Sequence, residues 1–461
     1  MKPRIISLTL LLLLSLITCN SPSTALLPAT NQAAGKDVPS RSGETSTTSD
    51  PELPRDFNLP IPLFTANAAW NQTAASAAVL PTSDQQILTT YRVLLGDFND
   101  LVGYTGPATT WPFLDINIDD YSVPIFRAGT AQNDVWICAD EGVLGWPHPK
   151  FGIDTLGGPV TVPAPAGTVR PAGPQNTDAD GHLVLYDANT FTAYDYFYAI
   201  TQHDGQCLSW GGGYPGTQIF EAGEVDFFDV RGKGTNYPEG YSSARAHGTP
   251  LLAGMILPED IESGAISHAL AFAIPGPRNL SSDPSEPDSS EYFYPASTTE
   301  TDFYSANPYA LIAGQRIRLK QTLVDEDDDV VDESQLAPIT QMFFAALRNY
   351  GAYLVDNAGG FSFYAEDIHT ANLNLTDDQV NALIGQPPGT PLPADMTKWQ
   401  IVLEQIHTDM EVIPFASGPG TNYQDPANAT ITTANYEMVE PATHPDALTI
   451  SIYLPTLRSG N

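Results

Sequence analysis

Hydrophobic and polar residues alternate along most of this chain in short segments, and turn residues separate one segment from the next. Alternation with a period of two is typical of strands that have one buried face. The stretch Asn176 to Ile200 predicts a turn, a strand, a second turn and a second strand. Further predicted strands are Val123 to Arg127, Asp134 to Ala139, Gln218 to Val230, Ile266 to Ile274, Arg316 to Leu319 and Leu448 to Leu454. Tyr353 to Asn357 and Phe361 to Ala365 are predicted to form a strand pair joined by a Gly-Gly turn.

Three segments have helical periodicity instead. The first follows Pro81 and has the sequence of a capping box, with Ser83 as N-cap and Gln86 three residues later. The second, Pro338 to Tyr350, opens with proline, carries an apolar stripe and stops at a glycine. The third, Thr376 to Ile384, begins with another capping box. We expect these helices to be peripheral.

Composition supports a mainly β fold. Glycine occurs 36 times and proline 40 times, which implies many turns, and 20 tyrosines with 19 phenylalanines favour strands. No internal repeat is visible. We therefore predict one large β-rich domain, a β-sandwich or jelly roll with a few peripheral helices.

The N-terminus is typical of an exported protein. Residues 1–18 combine basic residues with a short apolar run, as in a signal peptide, and end in a lipobox-like sequence before Cys19. Lipidation of Cys19 is the lead interpretation, and an ordinary signal peptide is the alternative. Residues 19–55 are rich in Ser, Thr, Pro and Ala and predict a disordered tether, so the β-rich domain is 56–461. The protein is expected outside the cytoplasm, either anchored to the cell envelope or secreted.

Charge excludes one class of partner. The chain has 54 acidic and 19 basic residues, a formal net charge of −35. Such a chain repels phosphate backbones, so we do not expect it to bind nucleic acid. We expect contact with a membrane only through the lipid anchor. Acidic surfaces suit saline habitats, calcium ligation or plain solubility.

Apart from Cys19, the chain has two cysteines, Cys138 and Cys207. An even pair in an oxidising compartment predicts a disulfide between them. Their spacing is not that of a zinc site, and no metal-ligating residues are assigned.

One group of polar residues has the chemistry of glycoside cleavage, which needs two carboxylates on either side of the scissile bond. A histidine can tune one of them or act as a base. The alternative is that the carboxylates cap a turn and the histidine satisfies a buried acid. The predicted catalytic residues are Asp140, Glu141, His182 and Asp195, and the aromatic residues for stacking on sugars are Trp146, Tyr194 and Trp210.

A second candidate is the run Glu224 to Asp229. It looks like the Glu-x-Asp-x-x-Glu strand of laminarinase-type glycoside hydrolases, in which the first Glu is the nucleophile and the last is the acid. Here Asp229 stands at the acid position, and the other landmarks of that family do not follow. An amphipathic strand with a polar edge is the favoured interpretation.

Calcium is the only cofactor that the sequence leaves open. The run from Asn176 through Asp178 and Asp180 to Asp187 partly fits an acidic calcium loop, but a strand follows where a helix belongs. A tight turn into a strand explains the same residues. The acidic loop Asp325 to Glu333 is favoured as a solvated face.

A polysaccharide lyase is a further alternative. His182 with Tyr194 suits proton abstraction from a uronic acid, and Arg245 or Arg316 offers a cation for the sugar carboxylate. Ser243 lacks the surroundings of a nucleophile elbow, so a serine triad is not expected.

The order of these segments resembles a largely uncharacterised family of secreted, β-rich bacterial proteins, between about Leu63 and Phe415. The resemblance implies secretion and brings no activity with it. Gly181 and Asp195 depart from the Arg and Glu of that family. The residues that carry it are Trp70-Asn71, Pro81, Ser83-Asp84, Ala139-Asp140-Glu141, Gly145-Trp146-Pro147, Pro149, Asp180, His182, Tyr194, Asp229, Ser243-Ala244, Gly248, Pro250, Gly254, Gly264, His268-Ala269-Leu270, Ala346-Leu347, Tyr350-Gly351 and Asp356-Asn357.

We therefore predict a protein that acts on an extracellular polysaccharide, with Glu141 and Asp195 as the carboxylate pair that cleaves a glycosidic bond. A non-catalytic carbohydrate-binding or cell-surface structural protein is the alternative from another class. Ser243, His268, Asp356 and Asn357 are added as substrate-binding residues because of the resemblance.

Overall fold

The computed structural model describes the central part of the chain in several ranges. For residues 132–165 and 200–225 that description is limited to the backbone of the strands. The ranges are 58–99, 101–102, 114–118, 121–128, 132–139, 160–165, 172, 180–197, 199–202, 206–207, 212–213, 219–222, 224–235, 243–279, 292–299, 304–325, 327–411, 413–417 and 433–442. The predicted signal peptide, Cys19, the tether and the strand Leu448 to Leu454 lie outside these residues.

Five α-helices occur within the described residues. Their bounds are α1 Ser83–Leu94, α2 Pro258–Ser263, α3 Pro338–Asn349, α4 Asp377–Leu383 and α5 Lys398–Met410.

Strands make up most of the remaining regular structure. Their bounds are β1 Leu101–Val102, β2 Leu114–Asn117, β3 Ile125–Ala128, β4 Gln132–Ala139, β5 Val160–Pro165, β6 Leu183–Asp187, β7 Thr192–Phe197, β8 Ile200–Gln202, β9 Gln206–Cys207, β10 Gly212–Gly213, β11 Ile219–Ala222, β12 Glu224–Asp229, β13 Leu270–Ile274, β14 Tyr304–Ser305, β15 Arg316–Leu319, β16 Ala352–Asn357, β17 Phe361–Tyr364, β18 Ala416–Ser417, β19 Thr433–Ala434 and β20 Tyr436–Val439.

The largest sheet has six strands in the order β2-β17-β13-β16-β15-β20. Its central strand β13 is apolar at every position, and all five residues are buried. Leu270, Phe272 and Ile274 belong to one core cluster, whereas Ala271 and Ala273 belong to another. Because successive side chains of a strand point to opposite faces, both faces of this central sheet are covered.

Helices cover the first face. The stripe Ile339, Phe343 and Leu347 of α3 packs with Phe272 and Phe363 of the sheet, and the rings of Phe343 and Phe363 meet edge to face with centroids 5.3 Å apart. The helices α1 and α5 contribute to the same core. The predicted peripheral helices are therefore present, and they form one layer.

A four-stranded sheet, β12-β7-β6-β3, covers the second face. Val184 of β6 and Ala193 of β7 share a core cluster with Ala271 and Val355 of the central sheet. The other four-stranded sheet has the order β5-β4-β11-β8. The mainly β character predicted from the sequence is confirmed. Neighbouring strands are parallel in several places, such as β13 with β16 and β3 with β6, as in a mixed sheet.

Three local predictions are wrong. Residues 218–230 form two strands, β11 and β12, which belong to different sheets. The strands β16 and β17 do not pair with each other, because β13 lies between them. At α1, the Ser83 hydroxyl accepts a hydrogen bond from the backbone N–H of Met438 on β20 instead of capping the helix.

Two helix predictions agree closely with the structure. Helix α3 begins at Pro338, and Gly351 follows it with a φ of 71°. Thr376 caps α4, and Gln379 completes the predicted capping box. Helix α5 was not predicted, although Thr397 and Gln400 form the same motif at its start.

Candidate functional site

A group of buried polar side chains lies where the four-stranded sheet β12-β7-β6-β3 meets the central sheet. Its members come from the approach to β6, from β7, from the segment 243–250, and from the ends of β16 and β17. We call it the Arg245 cluster. Its members are Asp180, His182, Asp195, Arg245, Asp356 and Tyr364.

Arg245 is the centre of the cluster and has no exposed surface. Its Nη1 atom donates to the carbonyl oxygens of Pro250, at 3.0 Å, and Ala253, at 2.6 Å. Its Cζ atom lies 4.5 Å from the centroid of the Tyr364 ring, a cation–π distance. Burial lowers the pKa of Arg245, and Tyr364 and nearby carboxylates oppose that shift. Within the described residues, its Nε and Nη2 atoms have no hydrogen-bond partner.

His182 is held as a neutral base. It is 1% exposed, and its Nε2 atom lies 3.0 Å from the carbonyl oxygen of Ala244. A carbonyl only accepts hydrogen bonds, so Nε2 carries the proton and Nδ1 is an acceptor. In the described part of the chain this Nδ1 atom has no partner. Burial lowers the pKa of His182, with Arg245 adding to the shift and Asp180 opposing it.

The cluster has two further carboxyl groups, those of Asp180 and Asp356. Asp180 is half-buried, and Asp356 is 9% exposed. Burial raises the pKa of the Tyr364 phenol well above its ordinary value, and Asp356, by charge and by a hydrogen bond, and Asp180 raise it further. Burial and both carboxyl groups therefore favour the protonated form of the Tyr364 phenol.

Asp195 is the most deeply buried carboxyl group of the same cluster. Its side chain is fully buried, and its Oδ2 atom accepts a hydrogen bond of 2.6 Å from the backbone N–H of Leu251. Its negative charge also acts on Arg245. This hydrogen bond connects the segment after residue 250 to β7. Asp195 therefore stabilises the fold at this point and does not face solvent.

The predicted partner of Asp195 lies outside the described residues. The same holds for three other predicted site residues, so the proposed pairing stays a prediction. These residues are Glu141, Asp140, Trp146 and Trp210. The backbones of Cys138 and Cys207 lie in β4 and β9, but their side chains are outside the description, and the disulfide stays a prediction.

Tyr194 does not join the cluster. It precedes Asp195 on β7 and so projects from the opposite face of that strand, where its ring centroid lies 6.2 Å from that of Phe227. Alternation therefore places Tyr194 and Asp195 on opposite faces of β7, and the stacking role of Tyr194 stays a prediction.

Two other predicted binding residues have structural contacts. The Ser243 hydroxyl donates to the Thr249 carbonyl at 2.8 Å and accepts from the Arg245 N–H at 3.2 Å, which shapes the segment that carries Arg245. The Asn357 side chain accepts from the N–H of Gly276 at 2.9 Å.

His268 belongs to a separate buried pair. Its Nε2 atom lies 3.2 Å from Oδ2 of Asp260, and its Nδ1 atom lies 2.9 Å from the Ala269 carbonyl oxygen. It lines a cavity of about 10 Å³ together with Trp70 and Gly254. Such a cavity holds about one water molecule, so it is not a substrate site.

The two local motifs that the sequence suggested for this region have other roles. Strand β12 pairs with β7 in unbroken register, and Asp229 is exposed beside Arg231, so the carboxylates are not arranged on a bulged strand. Asp187 accepts hydrogen bonds from Asn189 and Thr190 and closes the turn between β6 and β7.

Sequence reasoning missed Tyr364 and the central position of Arg245. Arg245 stands between two alanines in a run without periodicity, and this isolated charge among small residues was the available signal. Tyr364 ends an alternating strand and carries no local mark of function.

Within the described ranges, His, Cys, Asp and Glu side chains form no group of three or more that could hold a metal ion. None of the helices described here combines the length and apolar character that a membrane crossing requires. Comparisons with models of protein families, with curated proteins and with solved structures gave no match.

Proposed function

We propose that this protein is a secreted or lipid-anchored enzyme that cleaves glycosidic bonds of an extracellular polysaccharide at the Arg245 cluster. In this proposal Asp180 and Asp356 are the carboxylate pair that cleaves the bond, in place of Glu141 and Asp195. The observation that carries the proposal is a buried ionic group built from separate parts of the chain. The Cζ atom of Arg245 lies 4.5 Å from the centroid of the Tyr364 ring, and Asp356 and Asp180 raise the pKa of that phenol. Ionisable groups collected in this way are costly to bury and concentrate at functional sites.

The two carboxylates have different roles in this proposal. Asp356 accepts a hydrogen bond from Tyr364 and acts as the nucleophile or base. Asp180 is nearer to solvent and acts as the proton donor to the leaving oxygen. The Arg245 guanidinium packs against the face of the Tyr364 ring. The Nδ1 atom of His182 accepts a hydrogen bond from a sugar hydroxyl.

The scaffold in this proposal is sandwich-like. The four-stranded sheet and the central sheet share a core cluster, to which Tyr364 of the site also belongs. Rigid strands on both sides then fix the carboxylates in position, as bond cleavage requires.

The test is a screen of the purified protein against a panel of polysaccharides, with new reducing ends as the readout. Asp180→Asn and Asp356→Asn are each expected to lower the rate about 10²-fold or more, as removal of a general acid or nucleophile does. Asp229→Asn is the matched control, because Asp229 is an exposed aspartate on β12. Its rate should equal that of the parent protein.

Two results would contradict the proposal. One is the absence of products from every polysaccharide. The other is an unchanged rate in both Asp180→Asn and Asp356→Asn. Glycan binding without any products would favour the non-catalytic carbohydrate-binding protein instead.

A further inference from the structure

An irregularity in β16 decides which face of the central sheet carries Asp356. Strand β13 pairs with β16 in regular register as far as Phe272, which lies opposite Leu354. The register then shifts by one residue, so that Ala273 lies opposite Asp356 and Val355 is the extra residue of a β-bulge. Bulges re-aim side chains and are frequent beside active sites.

The bulge places Asp356 on the face of the sheet that bears the Arg245 cluster. Leu354 belongs to the core cluster under the helices, whereas Ala273 and Val355 belong to the cluster shared with the four-stranded sheet. With regular alternation, Asp356 would lie on the face of Leu354 and would point into the apolar layer under the helices. The shifted register gives it the face of Ala273 instead.

Tyr364 lies on the same face, on the other side of β13. It ends β17 and belongs to the same core cluster as Ala271 and Ala273 of β13. Strands β16 and β17 are two strand spacings apart, about 9.5 Å. Because the two alanine side chains are small, they leave room for the Tyr364 side chain to cross this distance. Its hydroxyl forms a hydrogen bond with Asp356.

The segment that carries Arg245 fixes Tyr364 in turn. The Cζ atom of Arg245 lies 4.5 Å from the centroid of the Tyr364 ring, and the Tyr364 carbonyl oxygen accepts a hydrogen bond of 2.9 Å from the N–H of Ile256. The Arg245 guanidinium is held by the carbonyl oxygens of Pro250 and Ala253. Contacts on the ring face and on the backbone thus determine where the phenol lies.

We propose that Tyr364 is the positioning residue of Asp356, the carboxylate that serves as nucleophile or base. The Asp356 carboxylate has two fixed donors, the Tyr364 hydroxyl and the backbone N–H of Asn357, which lies 2.9 Å from Oδ1. Two donors fix the plane of a carboxylate, and a misplacement of about 1 Å can lower a rate about 10²-fold. The inference rests on the proposed function, because it concerns the same site.

Tyr364→Phe tests the inference, because it removes the hydroxyl and keeps the ring against Arg245. On a polysaccharide that the protein cleaves, kcat should fall about tenfold or more, and KM should change less than about twofold. The variant binds the substrate with the same groups but holds Asp356 less firmly. An unchanged kcat, or a loss confined to KM, would overturn the inference.

Tyr353→Phe is the matched control. Tyr353 is also buried in this core cluster, and its hydroxyl donates to the Ala69 carbonyl oxygen at 3.3 Å. Both variants lose a buried hydroxyl from one core, but that of Tyr353 is bonded to a backbone carbonyl. The kinetic constants of Tyr353→Phe should equal those of the parent protein. An equal fall of kcat in the two variants would indicate a general effect on the core and would count against a special role of Tyr364.

A measurement without substrate separates this inference from the proposed function. Carbon-13 NMR of protein labelled at the aspartate carboxyl carbons gives a signal for Asp356, assigned as the one that Asp356→Asn removes. That signal should shift in Tyr364→Phe and stay in place in Tyr353→Phe. If it stays in place in Tyr364→Phe, the inference is wrong, whatever the protein cleaves. A shifted signal in a protein that cleaves no polysaccharide supports the placement of Asp356 by Tyr364 and overturns the catalytic proposal.

Discussion

Arg127 joins distant parts of the chain through two buried carboxylates. It donates to both carboxylate oxygens of Glu366, at 2.6 and 2.7 Å, and to Glu259 at 3.2 Å. Glu259 also accepts from the backbone N–H of Leu59. Removal of one partner from a buried ion pair leaves an uncompensated charge, which is far more costly than loss of an exposed pair.

We therefore expect Arg127→Met to lower the free energy of unfolding by about 3–5 kcal/mol, measured by urea denaturation. Arg231→Met is the matched control, because its pair with Asp229 is 55% exposed on both sides, and its effect should be within about 1 kcal/mol. A small effect of Arg127→Met would show that the buried group is not needed for stability.

His268 predicts a dependence of stability on pH. Burial alone would lower its pKa, but the charge and hydrogen bond of Asp260 raise it above the ordinary 6.5. Its stabilising effect is complete below pH 6.5 and is lost as the pH rises through the raised pKa. The free energy of unfolding of His268→Gln should not show this decrease at alkaline pH. Denaturation curves recorded over a pH series measure it. Asp260→Asn should remove it as well, and retention in both variants would contradict the assignment.

At the scale of elements, Gly314 and Gly389 form a matched pair. Both have a φ of 76°, so alanine strains the backbone equally at either position. A Cβ atom at Gly314 would lie 1.7 Å from the Phe293 carbonyl oxygen, whereas one at Gly389 meets nothing within 4 Å.

We expect Gly389→Ala to cost about 1 kcal/mol, the usual cost of a left-handed alanine, and Gly314→Ala to cost clearly more. The free energies of unfolding of the two variants give the measurement. Equal losses in the free energy of unfolding would mean that the backbone around residue 314 moves away from the new Cβ atom at no cost.

Local elements were predictable where the signal was local. Helix α3 has its proline, stripe and glycine within one short segment, and the strands β16 and β17 are both apparent from their own sequence. Their pairing was not predictable, because β13 enters between them from nearly eighty residues earlier in the chain. No turn sequence marks such an insertion.

The distinction between local signals and non-local contacts also applies to the candidate site. His182 and Asp195 were found because polar residues interrupt apolar strands at their positions. Their electrostatic interactions with Arg245 depend on how two sheets pack, which the residues near each position do not encode. Tyr194 is next to Asp195 in sequence but lies on the opposite face of β7.

At the scale of the molecule, net charge predicts a response to salt. Fifty-four acidic residues against 19 basic ones cause self-repulsion, which destabilises a folded chain more than an expanded one. Added sodium chloride screens this repulsion, so the thermal midpoint should rise between low salt and about 1 M, where the Debye length is about 3 Å. A midpoint that falls or stays constant would show that attractive ion pairs dominate instead.

The central position of β13 also bears on the order in which the chain folds. During synthesis β13 emerges long before β16 and β17, the strands that flank it in the sheet. Its apolar edges therefore have no native neighbour until the chain has grown past residue 364. Folding that depends on such non-local contacts is slow, and it leaves strands exposed to aggregation in the meantime. A chain that ends before β16 should accordingly be insoluble on expression.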